Sequence, residues 1–483
     1  MRGFERANNI MRLSWDKLLS EKRIRDLCEG NPAGPRRDHR TEFEGDFDRA
    51  IYCTPFRRLH DKAQVFPLEA DDSVRTRLAH SLEVSTLARD VAKAISKWLI
   101  QEKEISPEQS EHIPVVAATC GLLHDLGNPP FGHAGEDAIR EWFSKKLQTE
   151  PKFFECFSDK ENSQSAQDFL KFEGNAQTIR LISRLQVLAD YYGLNPTCGT
   201  LSAMCKYLAE SNEVEPSNGA DPKEHKDHAR TKVGYFASEK DLIDKVREEV
   251  GTEDARNPIT FMVESCDDIV YSIVDVEDGI KKGILRWEEF KKEVLDVAQD
   301  KKILQECFEG AKKIIEKPDS VPLKGKDRDI AMAQAFRVVA IGKATGALIR
   351  IFKEKYPEIM EGTYAKELIK DSDAWNLIDA CKKIGKKYVY VSRQNLSLEL
   401  MGRKIIHDLM DIFVEGVLED EENNRFAKKI YALMSSNYRT VYDDAMKKGI
   451  LPKFYCQMQL VTDYICGMTD TFACQLHRKL TNG

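Results

Sequence analysis

Apolar residues along this chain recur mostly at helical spacing. Leu78, Leu82, Leu87, Val91, Ile95 and Trp98 follow one another every three to five residues, which predicts a long amphipathic helix capped by Asp72 or Ser73. A second helix is expected to open at Pro114, since proline is accepted in a first helical turn, and to run through Val115, Ala118 and Leu122. Gly127 and the Pro129-Pro130 pair stop it, so His124 and Asp125 fall in its last turn. The period resumes at Phe261, Ile269, Ile273, Val276 and Ile280, and again over 331–352 and 396–417. One run, Tyr388 to Ser392, alternates and is rich in β-formers, which predicts a single short strand. Lys145 to Lys171 and Glu210 to Lys232 are polar, interrupted by Pro151, Pro216, Gly219 and Pro222, and are expected as surface excursions between helices. No repeat, low-complexity tract or clear linker appears. The pattern predicts an all-α protein with an N-terminal arm (1–40), a core (41–290) and a helical C-terminal region packed on that core (291–483).

Composition narrows the class. With 483 residues, core size is not limiting, and 32% charged with 9% aromatic residues suits a folded, helix-rich enzyme. A net charge of -7 argues against general attraction to nucleic acid or an anionic membrane. Lys281-Lys282, Lys312-Lys313 and the pairs Lys382-Lys383 and Lys386-Lys387 are local candidates for phosphate contact, although such runs are mostly solvated helix surface. Twelve cysteines include no Cys-x-x-Cys pair, which excludes a zinc ribbon or small disulfide scaffold and leaves reduced, mostly buried thiols. No apolar signal region and no run of eighteen apolar residues is present, so a cytoplasmic protein with no membrane partner is expected.

The chemistry concentrates in Gly121-Leu-Leu-His124-Asp125-Leu-Gly-Asn128-Pro-Pro-Phe-Gly-His133-Ala-Gly-Glu136. His124 and Asp125 offer one neutral nitrogen and one anionic oxygen to the same ion, a donor set suited to Mn, Mg, Fe, Co or Zn. Further ligands must come from elsewhere. His80, one turn after Arg77 on the first long helix, is the best third ligand, because a lone core histidine would not carry that spacing. A carboxylate is expected as the fourth, from Glu264-Ser-Cys-Asp267-Asp268-Ile-Val-Tyr271-Ser-Ile-Val-Asp275. There Asp267, Tyr271 and Asp275 share a face, while Asp268, Glu277 and Asp278 are candidates for a solvated acidic face.

The order His80, then His124-Asp125, then Asp267, each on a helix, resembles the HD-domain metal-dependent phosphohydrolases over roughly residues 40 to 290. Finer motifs are similar to one branch of that superfamily, the bacterial deoxyguanosine triphosphate triphosphohydrolases. They are Phe56-Arg-Arg-Leu-His-Asp-Lys-Ala-Gln64-Val-Phe-Pro, Arg75-Thr-Arg77-Leu-Ala-His80-Ser, the Asn-Pro-Pro-Phe-Gly-His133 continuation and Phe172-Glu-Gly-Asn175-Ala-Gln. The resemblance implies a large multi-helix HD fold with a C-terminal helical extension and at most a short β element near 388–392. It implies hydrolysis of dGTP or another dNTP to the deoxynucleoside and inorganic triphosphate, with a divalent ion, Mn or Mg first and Co, Fe, Ni or Zn as alternatives.

By the same resemblance, His80, His124, Asp125 and Asp267 are the metal ligands, and His133 is the catalytic histidine with Glu136 beside it. Arg77 and Lys232 face phosphates, Tyr271 and Asp275 the sugar and triphosphate, and Gln64 and Asn175 the nucleoside. A homo-oligomer, hexameric in some relatives, is implied, with Arg393 a candidate to complete a neighbouring pocket, and single-stranded DNA is an implied effector. Three other readings share these residues: a broad or activator-dependent dNTP hydrolase, an HD nucleotidase or alarmone hydrolase, and a non-catalytic nucleic-acid-binding HD protein.

Overall fold

The computed structural model describes residues 12–30, 39–68, 74–158, 164–186, 190–214, 227–317, 321–418 and 425–481. Among them the chain is helical throughout, with isolated bridges in place of any sheet. Nine helices matter for the site: α1 (Arg77–Gln101), α2 (Pro107–Leu123), α3 (His133–Thr149), α4 (Gly174–Arg180), α5 (Pro258–Lys281), α6 (Gly325–Met360), α7 (Arg393–Leu418), α8 (Lys453–Cys466) and α9 (Asp470–Thr481).

The predicted stripe on α1 is real, but its buried edge is Val84, Ala88, Val91, Ala92, Ile95 and Leu99, with Leu82 turned outward. Thr76 caps it, its hydroxyl accepting the Ala79 N–H; Asp72 and Ser73 lie outside the described residues. The second helix starts a full two turns earlier than Pro114. Ser106 and Gln109 form a capping box and Pro107 takes the first turn, so Pro114 sits inside the helix, where its missing N–H removes one bond without breaking the rod.

The strand expected at Tyr388 to Ser392 does not exist. Gly385–Val389 continues the preceding helix as a π-helical turn, because Tyr388 and Tyr390 alternate with valines but have no neighbouring strand to pair with. The expected excursion at Lys145 to Lys171 is also mostly helical: α3 runs to Thr149, and Pro151–Ser158 and Gln164–Leu170 follow. Pro151 begins a helix there instead of ending one, and Phe153, Phe157 and Phe169 bury one face of the segment. Of the second excursion, residues 215–226 lie outside the described residues, and His228–Arg230 form a short 3-10 turn followed by a bend at 231–232.

One apolar cluster runs from Leu13 through the centre to Ala473, joining the N-terminal helices, α1 to α6 and the C-terminal helices α7 to α9. Two contacts inside it set the site. At Gly121 a Cβ would stand 2.6 Å from the Cα of Ser85, so α1 and α2 meet almost backbone to backbone, and the Ser85 hydroxyl donates to the Ala118 carbonyl (2.8 Å). At Gly127 a Cβ would stand 2.3 Å from both the Gly174 carbonyl oxygen and the Thr178 nitrogen, which presses α4 onto the loop after α2. No side chain fits at either point. Gly127→Ala should therefore lower folding stability by about 1 to 3 kcal/mol through overpacking, read as a lower urea midpoint; an unchanged midpoint would show that the α4 contact is loose.

Candidate active site

The close approach of α1 and α2 sets the His80 and His124 rings edge to face, 5.3 Å between centroids. Asp267, on α5, completes the group: its Oδ1 lies 3.0 Å from His80 Nε2 and 3.6 Å from His124 Nε2. Asp125 Oδ2 lies 3.3 Å from His124 Nε2 and 3.9 Å from His80 Nε2. Ligands about 2.1 Å from one ion lie roughly 3 to 4.2 Å from one another, so His80, His124 and Asp267 have the spacing of a coordination shell, with Asp125 beside both histidines but also bonded to Arg77.

Hydrogen bonding fits the same reading. His124 Nδ1 donates to the Gly121 carbonyl (2.8 Å), which leaves Nε2 as the lone-pair nitrogen; that atom is buried and has no hydrogen-bond partner. An orphaned nitrogen aimed at two carboxylates is a place for a cation. The electrostatics agree: burial opposes charge on His124, yet Asp125 and Asp267 outweigh it and hold its pKa up near 9. Positive charge at this point is favoured, whether as a proton or a metal ion.

A cleft of about 550 Å³ opens over the cluster. Gln64, Arg77, His80, His124, Asp125, His133, Asn175, Lys232, Asp267, Tyr271 and Asp275 all line it. Glu136 is the exception, buried behind the wall. There its Oε2 accepts from His133 Nδ1 (3.1 Å) and its Oε1 from the Gly174 N–H (2.9 Å), so one carboxylate ties the histidine to α4. The Glu136 hydrogen bond raises the His133 pKa above its ordinary value.

Arg77 sits where it serves Asp125, donating 2.7 Å to Oδ2, while Asn128 donates 2.6 Å to Oδ1. Lys232 pairs with Glu173 (3.2 Å) and lies over the Tyr207 ring. Asp275 is held by Arg75 and by the Tyr390 hydroxyl (2.7 Å); burial, opposed by Arg75 and Tyr390, lifts its pKa to about 7. Glu277 and Asp278 are buried, not solvated, because Lys281, Arg337 and Arg75 neutralise them. Arg393 is exposed at the start of α7.

Several lining residues escape sequence reasoning. Lys206 stands 4.0 Å from Asp267 and 3.8 Å from Glu264, yet nothing in Cys205-Lys-Tyr207 marks it. Tyr390 reads locally as strand. Lys382 and Lys386, candidates for phosphate contact in the sequence although such runs are mostly solvated surface, both line the cleft; Lys382 pairs with Asp268 (2.7 Å) and Lys386 makes no ion pair among the described residues. Five cations, Arg77, Lys206, Lys232, Lys382 and Lys386, thus face one cleft of an acidic protein.

Comparison with known proteins gives the same direction. The HD domain family matches residues 77–172, and the phosphohydrolase-associated domain family matches residues 369–479. A deoxyguanosinetriphosphate triphosphohydrolase-like protein of Listeria innocua is 36% identical over 477 residues, covering 97% of this chain and 99% of the relative. A protein of the same description from Synechocystis is 32% identical, with the same coverage. A deoxyguanosinetriphosphate triphosphohydrolase of Klebsiella pneumoniae is 31% identical, covering 91% and 93%. Near-complete coverage at this identity, together with an all-α HD core, places the chain in the deoxyguanosinetriphosphate triphosphohydrolase family of HD-domain phosphohydrolases, as a hydrolase.

Proposed function

We propose that the protein hydrolyses dGTP, and to some extent other dNTPs, to the deoxynucleoside and inorganic triphosphate by attack of water at the α-phosphorus. The observation that carries this reading is that two distinct devices serve one cleft whose wall carries five cations interleaved with carboxylates. One is the His80, His124, Asp125 and Asp267 cluster; the other is the His133–Glu136 pair. A divalent ion on the cluster, Mn or Mg in the first instance, neutralises phosphate charge and activates water when bound.

The remaining work falls to the chain. Lys206, Lys232, Lys382 and Lys386 receive the triphosphate, whose charge would otherwise repel an anionic nucleophile. Tyr271, Tyr390 and Asp275 bound the sugar, where an added 2′ hydroxyl meets a tyrosine already bonded to Asp275. Gln64 Oε1 is buried with no partner, an acceptor suited to the N–H edge of a base, and Asn175 lines the same cleft. His133, with Nδ1 held by Glu136, presents Nε2 to the substrate and donates a proton to the departing 5′ oxygen. The exposed Leu396 and Leu400, beside the cleft residues Asn395 and Glu399, favour association of copies of the chain. No described helix is long and apolar enough to cross a membrane.

Incubation with each dNTP and Mn or Mg, followed by phosphorus NMR, should show free tripolyphosphate, formed fastest from dGTP; orthophosphate or pyrophosphate would move the protein to another HD reaction. His124→Ala should lose metal and turnover together. His133→Ala should keep its metal while kcat falls about 10²- to 10⁴-fold, and metal loss in that variant would overturn the division of labour. An acid catalyst works only while protonated, so the rate should fall as pH rises through the His133 pKa. Glu136→Gln removes the charge that raises that pKa, and should move the alkaline limb of the kcat profile to lower pH; a limb that stays in place would free His133 of the role.

A further inference from the structure

The His133 loop is fastened from a distant part of the chain. Pro129 and Pro130 have no N–H, so the loop exposes the Asn128 carbonyl before them and the Phe131 N–H after them. Both are taken. The buried Lys62 ammonium donates to the Asn128 carbonyl (2.6 Å) and to the Cys466 carbonyl at the end of α8 (2.7 Å). The Phe131 N–H donates to Oδ1 of Asp470, the first residue of α9 (2.8 Å). Asp470 Oδ2 accepts the Ala63 N–H (2.9 Å), next to Gln64.

One carboxylate, 2% exposed, therefore holds two segments of the cleft rim: the one carrying Gln64 and the loop that leads into His133. Its neighbours strengthen the grip. Thr471 donates to Asp61 (2.7 Å), and Arg58 donates to the Gly467 carbonyl (2.8 Å). The fastening is needed because Phe131 and Gly132 both sit at positive φ, 65° and 59°, immediately before His133. A non-glycine residue in that region persists only where its surroundings over-determine it.

We propose that Asp470 is a positioning residue for the reaction, which sets His133 over the leaving oxygen and Gln64 over the base by binding the Phe131 and Ala63 amides with its two oxygens. This inference rests on the functional reading above for its rate consequence, but its structural half can be measured without it. Asp470→Asn keeps the shape yet leaves one oxygen where two are needed, and sets an NH₂ against an N–H.

In the full-length protein with Mn, Asp470→Asn should lower kcat about 10- to 100-fold with bound metal per chain unchanged. In the His133→Ala background the same substitution should lower kcat no further, because the Phe131 half of the clamp acts on the chemical step through His133, and should still raise KM, because the Ala63 half acts through Gln64. Hydrogen exchange should rise in peptides spanning residues 60–66 and 126–135 and stay level elsewhere. A kcat within twofold of wild type, a further loss of kcat in the His133→Ala background, or exchange rising uniformly with loss of metal would each overturn the proposal. Should the variant fail to fold, the wild type decides: the Ala63 and Phe131 amides must exchange as slowly as the core of α8, and rapid exchange there rejects the clamp. If the wild type releases no triphosphate, the functional reading falls, while the exchange data still decide the clamp.

Discussion

The approach of α1 to α2 at Ser85 and Gly121 is the constraint on which the site depends. His80 and His124 are separated by 44 positions in the chain, and only two helices packed nearly backbone to backbone bring their rings within 5.3 Å. Any ordinary side chain at position 121 would hold them apart. Once they meet, two half-buried carboxylates stand against them, and that much negative charge is tolerable only because Arg77 serves Asp125, Lys206 stands near Asp267, and a cation is favoured between them.

The same accounting extends outward through the cleft. Acids line it as well as bases, but Asp125, Glu173, Asp268 and Glu264 are engaged by Arg77, Lys232, Lys382 and Arg256. The pairs fix the geometry of long, flexible cations at rest, so a polyanion arriving in the cleft meets donors already in place and has only to displace carboxylates from them. Glu136 does this for a histidine, and Asp275 for a tyrosine.

Much of this was legible in the chain. Helical class followed from period, the Gly121 to Glu136 segment announced two histidines and two acids at a helix end, and spacing by four put Asp267, Tyr271 and Asp275 on one face. What was not legible has physical causes. Pro114 looks like a helix start because proline suits a first turn, but the Ser106-Pro107-Glu108-Gln109 box, also local, is the stronger signal and closes two turns upstream. Tyr388 to Ser392 has β-propensity, which is overruled when no partner strand exists and the segment is covalently continuous with a helix. Lys206 and Asp470 carry no motif at all; their importance lies in what stands opposite them in space, 61 residues away for one and 339 for the other.

The span between Phe131 and Asp470 also sets an order in time. A ribosome adds about 5 to 20 residues per second, so roughly 20 to 70 s separate the emergence of the His133 loop from that of the carboxylate that receives its amide. During that interval Asp267, Asp275 and the cleft lysines are themselves added, the last of them Lys386, while the loop lacks its anchor. The nascent chain thus carries every one of these side chains before it carries the carboxylate that fastens the loop.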